Sequence, residues 1–343
     1  MISRSANAQA NRIFLRACIG TAVVLPLLVA LPHALTIYWQ SVLVLFTINA
    51  VLLIGYRLIT TMGGWSFAHI STAGLGAYTT AILTTIETPW SFWATFILGA
   101  LIAGAFALLI SYPVLRTRHY YFFLSTFAAG EALRQCYVQF SGITGGTYGI
   151  SFIPRPEPIL GLDFATSTGF YYIALALAVL VGLALYRFDL SRLGRTIKAV
   201  AANEELSESI GINTWALRTL PFVMGSVVAG AGGVLYGNFN GAINPLDFGT
   251  VLMFKLVAAA IVGGVTTFFG PLLGLLYLTA LEEIFRDWAQ WVPLFWGVSV
   301  VAVILLSEGG LEMVAIRLGR RARRWWAGRA NRPPDGERTG SGR

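Results

Sequence analysis

Long apolar runs alternate with short polar breaks along this chain. Ten runs stand out, and each predicts a helix near the length of about 20 residues that crosses the hydrocarbon core of a bilayer. They are Ala17 to Leu35, Tyr38 to Ile59, Trp65 to Ile86, Ser91 to Leu115, Tyr120 to Phe140, Gly169 to Tyr186, Ala216 to Tyr236, Thr250 to Phe268, Gly270 to Ala289 and Val292 to Leu306. Two of the breaks are long. Residues 141–168 are rich in glycine and proline, and residues 191–213 carry Arg192, Arg195 and Lys198 followed by Glu204, Glu205 and Glu208. The pattern predicts an all-α integral membrane protein, a polytopic bundle of about ten transmembrane helices.

Composition explains why these runs are not the core of a soluble protein. The chain is 56% hydrophobic and only 12% charged, too little polar surface to cover a globular core of 343 residues. The formal net charge of +8 is concentrated at one end, where nine arginines from Arg317 to Arg343 face only Asp335 and Glu337. A basic tail (317–343), expected to be disordered and flanked by Trp325 and Trp326, suits an anionic inner leaflet rather than nucleic acid. Charge also sets orientation. With segment 1–16 in the cytoplasm, alternation places 20 of the 24 Lys and Arg on the inner side or its edge. Arg134, Arg155, Lys255 and Arg286 are the remainder, so both termini are expected inside. Pro26 and Pro32 interrupt the first run, which reads as a retained span and not a cleaved signal. The plan is then an N-terminal segment 1–16, a membrane domain 17–316 and the tail. Cys18 and Cys136 predict two buried thiols without a disulfide, and His33, His69 and His119 are scattered too widely for a metal cluster.

The third run is unusually polar. Ser66, His69, Ser71, Thr72, Thr79 and Thr80 are too many polar groups for a helix facing lipid. Gly63 and Gly64 at its start, with Gly74 and Gly76 inside it, permit a broken or re-entrant path, which is tolerated only where backbone lines a cavity or lies within protein. One reading is a translocation path for a small polar solute, shaped by Ser66, His69, Thr72, Gly74 and Tyr78. The plainer one is a packed interior helix whose hydroxyls bind neighbouring helices. Glu131 and Arg134 lie three apart on one helix face, as a structural ion pair or as a further group on the path. Between the third and ninth runs, Gly63, Gly64, Gly74 and Thr79 meet Gly263, Gly264, Gly274 and Thr279 at an offset of 200. Small residues recurring wherever membrane helices pack account for this more simply than a repeat.

The charged break has an internal grammar. Asn203 before Glu204 and Glu205 predicts a helix N-cap with acids in the first turn, and Gly211 suits the position just past the C-cap. Leu206 and Ile210, four apart, give this short helix a small apolar face for a membrane surface or a partner's groove. No GxxxxGK[ST] loop, no His/Cys metal pattern and no GxSxG motif is present. The chain therefore reads as a transporter and not an enzyme, without an ATP site of its own. A secondary transporter or channel acting alone is the alternative, but Glu131 is essentially the one intramembrane acid, which argues against ion coupling.

Several ordered pieces together resemble a known family. Gly64-Trp65-Ser66-Phe67-Ala68-His69 leads into Gly74-Leu75-Gly76-Ala77-Tyr78, and Arg116-Thr117-Arg118, Tyr121-Phe122, Glu131 and Thr144-Gly145-Gly146 follow. Gly194-Arg195, Asn203-Glu204, Gly211-Ile212-Asn213, Gly263-Gly264 and Gly270-Pro271-Leu272-Leu273-Gly274 complete the order. Over about Leu45 to Leu311 the chain resembles the permease subunit of ABC importers for branched-chain amino acids, of the LivM type. That resemblance implies a multi-pass protein of the bacterial inner membrane that works by alternating access. It also implies a second related permease, two ATP-binding subunits that hold the ATP, and a periplasmic solute-binding protein. The loop from Arg195 to Gly211, with Asn203, Glu204 and Glu205, would be the element an ATPase receives. Glu205 and Gly211 keep the spacing of the general permease pattern EAAxxxG, with Leu206 and Ser207 in place of its alanines. Leu220-Pro221 echoes its later I-x-LP only in part, because it comes too early. Trp65 and Phe67 are bulkier than that pattern favours, and related permeases carry urea, short amides or small carboxylates.

Overall fold

The computed structural model describes residues 2–117, 120–158, 164–306, 309–314, 316 and 317. Arg118, His119, residues 159–163 of the glycine- and proline-rich break and the basic tail from 318 onward, with Trp325 and Trp326, lie outside the described residues. The described chain is almost wholly helical. Its larger helices are α1 (Ile2–Ala30), α2 (Ile37–Thr60), α3 (His69–Thr85), α4 (Phe92–Leu115) and α5 (Tyr120–Gln139). A one-turn α6 (Ser141–Thr144) follows, then α7 (Ser167–Asp189), α8 (Arg192–Ala202), α9 (Glu204–Ser209) and α10 (Thr214–Asn240). The last are α11 (Thr250–Gly263), α12 (Gly270–Ile284) and α13 (Val292–Leu306).

Each of the ten apolar runs contains a helix, but the helices are not equal. Five of them, Gln9–Ala34, Ile37–Thr60, Phe92–Leu115, Ser167–Asp189 and Thr214–Asn240, are long and apolar enough to cross a membrane. α11 and α13 are apolar but shorter. The eighth run stops at Gly263 because Gly264 turns the backbone to φ +94°, a conformation open to glycine.

α10 is the centre of the molecule. It packs along α2, α3 and α4, and its run of small residues from Gly225 to Gly237 lets those neighbours approach to backbone contact. A Cβ on Gly233 would lie 1.8 Å from the Ala73 carbonyl oxygen, and one on Gly76 would lie 2.0 Å from that of Gly230. α1 is the opposite case. No residue of its apolar window is buried, and it meets α7 through Tyr171 and Tyr172, whose hydroxyls donate to the Leu28 and Val29 carbonyls at 3.1 and 3.2 Å.

Three expectations change. The third run is not helical from Trp65: residues 61–68 form a turn and an irregular segment, and α3 begins at His69. The break in regular backbone therefore precedes Gly74 and Gly76, which lie inside a continuous helix and serve close packing. The fold is not helix alone, since Ile150–Ser151 pairs antiparallel with Ala242–Ile243. Cys136 is exposed on α5 and Cys18 is half-buried on α1, so neither thiol is buried as expected; both cysteines are free. The two runs compared at an offset of 200 have different surroundings. α3 packs on α10 and α4, whereas α12 packs on α11 and α2.

Candidate functional site

Two polar regions emerge, one at the α8–α9 elbow and one inside the bundle beside α3. The elbow is written in local capping chemistry. Ser191 Oγ accepts from Gly194 N at 3.1 Å and starts α8. Asn203 stands in extended conformation between the helices, and its Oδ1 accepts from Leu206 N at 2.9 Å to start α9. Gly211, at φ +81°, ends α9. There Gly211 N donates to Glu208 O at 2.9 Å and Ile212 N to Ser207 O at 3.1 Å, the paired bonds of a Schellman cap. Asn213 Oδ1 then accepts from Ala216 N at 3.1 Å and starts α10. The expected cap at Asn203 and turn at Gly211 are both present, and Ser191 and Asn213 extend the same device.

The elbow's charges split into inward and outward groups. Glu204 turns in, accepting from Arg218 Nη1 of α10 at 3.0 Å. Lys198 reaches Asp189 at 2.7 Å. Arg195 folds back to donate to the Leu190 carbonyl at 2.5 Å. Glu205 is exposed. So are Leu206 and Ile210, at 60% and 70% of their surface, so the predicted apolar face has no cover among the described residues. A cavity of about 230 Å³ lies behind α9, bounded by Met62, Gly63, Ala201, Glu204, Glu205 and Arg218.

In the interior, Ser66, His69 and Thr72 are at most 1% exposed, and Tyr78 is buried as well. Irregular backbone holds Ser66, while the first turn of α3 carries His69 and Thr72. His69 Nε2 lies 2.9 Å from the Leu52 carbonyl of α2, and Thr72 Oγ1 donates to His69 O at 2.7 Å. Ser66 Oγ, His69 Nδ1, Tyr56 Oη and Tyr78 Oη meet no hydrogen-bond partner among the described residues. Each such buried atom costs on the order of 1–3 kcal/mol. Tyr56 and His69 have ring centroids 5.4 Å apart, and Tyr78 stacks on Tyr137 at 4.5 Å. Gly74 lies beneath Tyr137 and Phe248, and a Cβ there would come within 2.9 Å of the Tyr137 ring.

Glu131 stands apart from this cluster. It accepts from Arg134 Nε at 2.9 Å and from Gln135 Nε2 at 3.1 Å on α5, the expected i,i+3 pair. An apolar cavity of about 520 Å³ opens between α5, α11 and the segment before α3. Its walls are chiefly Trp65, Phe67, Tyr120, Phe123, Phe254 and Ile261, and Trp65 separates it from Tyr56, at 6.3 Å between centroids. On the loop after α10, burial pushes the Asp247 carboxyl above its ordinary range, even though it accepts from Asn244 N at 2.9 Å.

The structure buries Ser66, His69, Thr72, Gly74 and Tyr78 without gathering them at one point: His69 faces Tyr56 and Leu52, whereas Gly74 and Tyr78 pack on Tyr137 and Phe248 farther along α3. Asn203, Glu204, Glu205 and Gly211 share the α9 elbow, with Arg195 at the other end of α8. Sequence reasoning missed Tyr56, Arg57, Asp189 and Arg218. The available signal was a lone ionisable residue at the end of an apolar run, since such residues at a membrane boundary seek partners. The acids at the end of the ninth run are partnered too. Glu282 takes Lys255 at 2.6 Å, and Glu283 accepts from the Tyr38 hydroxyl at 2.6 Å.

Comparison with known proteins finds transport permeases. The chain is 26% identical over 324 residues to the high-affinity branched-chain amino acid transport system permease protein LivM of Salmonella typhimurium, covering 88% of this chain and 75% of that one. LivM of Escherichia coli K12 matches to the same extent. The permease protein LivH of Salmonella typhimurium is 28% identical over 255 residues, 68% of this chain and 80% of its own. No solved structure matches the chain. The family model described as branched-chain amino acid transport system / permease component covers residues 38–307, from the start of α2 to the end of α13, and the chain belongs to that family.

Proposed function

We propose that this chain is a membrane-spanning permease subunit of an ATP-binding cassette importer, moving a branched-chain or related amino acid into the cytoplasm. The match over residues 38–307 carries this reading, because it includes the interior segment beside α3 and the elbow in one continuous stretch. In this reading the chain crosses the bacterial inner membrane about ten times with both termini inside, so that α8–α9 faces the cytoplasm. A second related permease stands beside it, two ATP-binding subunits hold the ATP, and a periplasmic protein delivers the solute.

The elbow is the element an ATP-binding subunit receives. Exposed Glu205, Leu206 and Ile210 form the contact, and Asn203 and Gly211 hold the turn that presents them. Solute passes along the face that carries the aromatic cavity. A lining of Trp65, Phe67, Phe123, Phe254 and Ile261 suits a branched aliphatic side chain better than urea or a short amide. Ser66, His69 and Thr72, with Gly74 and Tyr78 farther along α3, shape the path, and Glu131 marks its edge. Alternating access then needs the ATP-driven movement of α8–α9 to rearrange the closely packed helices around α10.

The test is uptake into proteoliposomes that contain this chain, its partner permease and the two ATP-binding subunits, with the solute-binding protein supplied outside. Leucine, isoleucine, valine, urea and acetamide are compared as solutes. ATP-dependent accumulation of the branched amino acids supports the reading. Flux that ignores ATP and follows a proton or sodium gradient would sink it.

A further inference from the structure

Beside the apolar packing of Ile197 and Val200, two ionic contacts fasten the elbow to the bundle, and neither lies on its exposed side. At the first, Asp189 closes α7 and receives two cations. Arg57, in the last turn of α2, forms a two-pronged contact with it, Nη1 to Oδ1 at 3.1 Å and Nη2 to Oδ2 at 3.3 Å. Lys198 of α8 reaches Oδ1 at 2.7 Å. The side chains of Arg57 and Asp189 are only 3% and 9% exposed, while that of Lys198 is 43% exposed. At the second point, Arg218 of α10 is 8% exposed and donates to Glu204 of α9 at 3.0 Å. The same guanidinium reaches the Leu115 and Thr117 carbonyls at the end of α4, at 3.4 Å each.

Stability alone does not explain two such pairs. A buried ion pair often contributes no more than well-packed apolar residues of similar volume, because desolvation offsets the attraction. What a forked arginine–carboxylate contact adds is direction, since it holds two elements in one relative orientation. The forked contact joins α2 to the end of α7, where α8 is attached through Lys198, and the Arg218–Glu204 bond joins α9 to α10. α2 and α10 touch each other just inside the bundle, where a Cβ on Gly55 would lie 3.0 Å from the Gly225 carbonyl oxygen and one on Gly225 would lie 2.8 Å from that of Gly55. Gly55 is two residues from Arg57, and Gly225 is two turns from Arg218. A tilt of the elbow therefore pulls on two adjacent helices at a crossing where two glycines bring backbone against backbone, flanked by the Ile59 and Val228 side chains.

Resting on the importer reading above, we infer that Arg57 with Asp189, and Arg218 with Glu204, are positioning pairs that carry movement of α8–α9 into α2 and α10. They act through those helices and do not touch solute or ATP.

The experiment uses the whole reconstituted assembly and reads solute taken up per ATP hydrolysed. With Arg57→Met or Arg218→Met, hydrolysis persists and uptake per ATP falls at least tenfold. Exchanging the partners, Arg218→Glu with Glu204→Arg, restores it to within about threefold of the unsubstituted assembly. The methionine variants take a buried cation away from each carboxylate and can fail to assemble. Arg57→Lys and Arg218→Lys then decide, because they keep the charge and lose the fork to Asp189 in the first and the carbonyl contacts to Leu115 and Thr117 in the second, and uptake per ATP drops severalfold. Uptake per ATP within twofold of the unsubstituted assembly in both lysine variants would overturn the inference. So would methionine variants that fold but no longer hold the ATP-binding subunits, since the pairs would then only shape the docking surface. No ATP-driven uptake in the unsubstituted assembly would sink the importer reading itself, and the inference with it.

Discussion

The crossing of α3 with α10 and the elbow of α8 with α9 are built on opposite principles. At the crossing, backbone meets backbone. Gly76 lies against Gly230, Gly233 lies against Ala73, and no charge takes part. At the elbow the chain relies on caps, arginine–carboxylate contacts and a Schellman turn, and leaves Leu206 and Ile210 uncovered. The difference follows from the solvent each region displaces. Helices that leave lipid for one another gain little from apolar burial, so close approach must supply the contact energy. A short helix that leaves water for a partner gains from apolar burial and must first be held in shape. The first region therefore tolerates almost no added atoms, and the second tolerates change wherever its hydrogen bonds survive.

The harshest test of that contrast is Gly233→Val. Its Cβ would fall 1.8 Å from the Ala73 oxygen, and backbone cannot yield as a side chain can. We expect a loss above the ~1–3 kcal/mol of ordinary overpacking, seen as collapse of the monodisperse yield in detergent. A well-folded Gly233→Val protein would mean the crossing is looser than described.

Next in size is Glu205→Arg at the exposed tip. The protein should insert and melt as before, because surface changes stay within about 0.5 kcal/mol. Uptake should fall at least tenfold through lost coupling to the ATP-binding subunits. Unchanged transport in vesicles would remove Glu205 from the contact.

Asn203→Ala separates shape from contact. Losing this cap costs about 1 kcal/mol, confined to α9. Hydrogen exchange should quicken at the amides of Leu206 and Ser207 while those of α10 keep their protection. Exchange unchanged at Leu206 would show that the Asn203 cap is not what holds the first turn of α9.

The smallest effect on stability belongs to Leu206→Ala, expected within about 0.5 kcal/mol. Co-purification of the ATP-binding subunits should nonetheless weaken. A partner held as firmly as before would assign this apolar face to the membrane surface.

Local chemistry is legible in the amino-acid sequence alone. The Asn203 cap, the Gly211 turn and the Glu131–Arg134 pair each lie within a few residues of sequence, where spacing determines contact. Apolar run length locates the helices to within a few residues for α2, α4 and α7, because a bundle in lipid admits little else. The same reasoning starts α3 too early, at Trp65, because Ser66, Phe67 and Ala68 have no strong preference against helix. Contacts from other elements hold them out of it, among them Thr126 Oγ1, which accepts from Phe67 N at 3.0 Å.

By itself, then, the sequence determined a membrane protein built of helices, a structured polar elbow and a family. Each depends on composition, period or short-range spacing. Only the tertiary structure decided that Arg57 meets Asp189 across 132 residues, that Arg218 and not solvent receives Glu204, and that Tyr56 stands beside His69. A charge at the end of an apolar run must find a partner, but its own neighbourhood in sequence does not name one. The choice belongs to whichever helix ends the packing brings within reach, and around α10 that packing is set by where glycine lets two backbones touch.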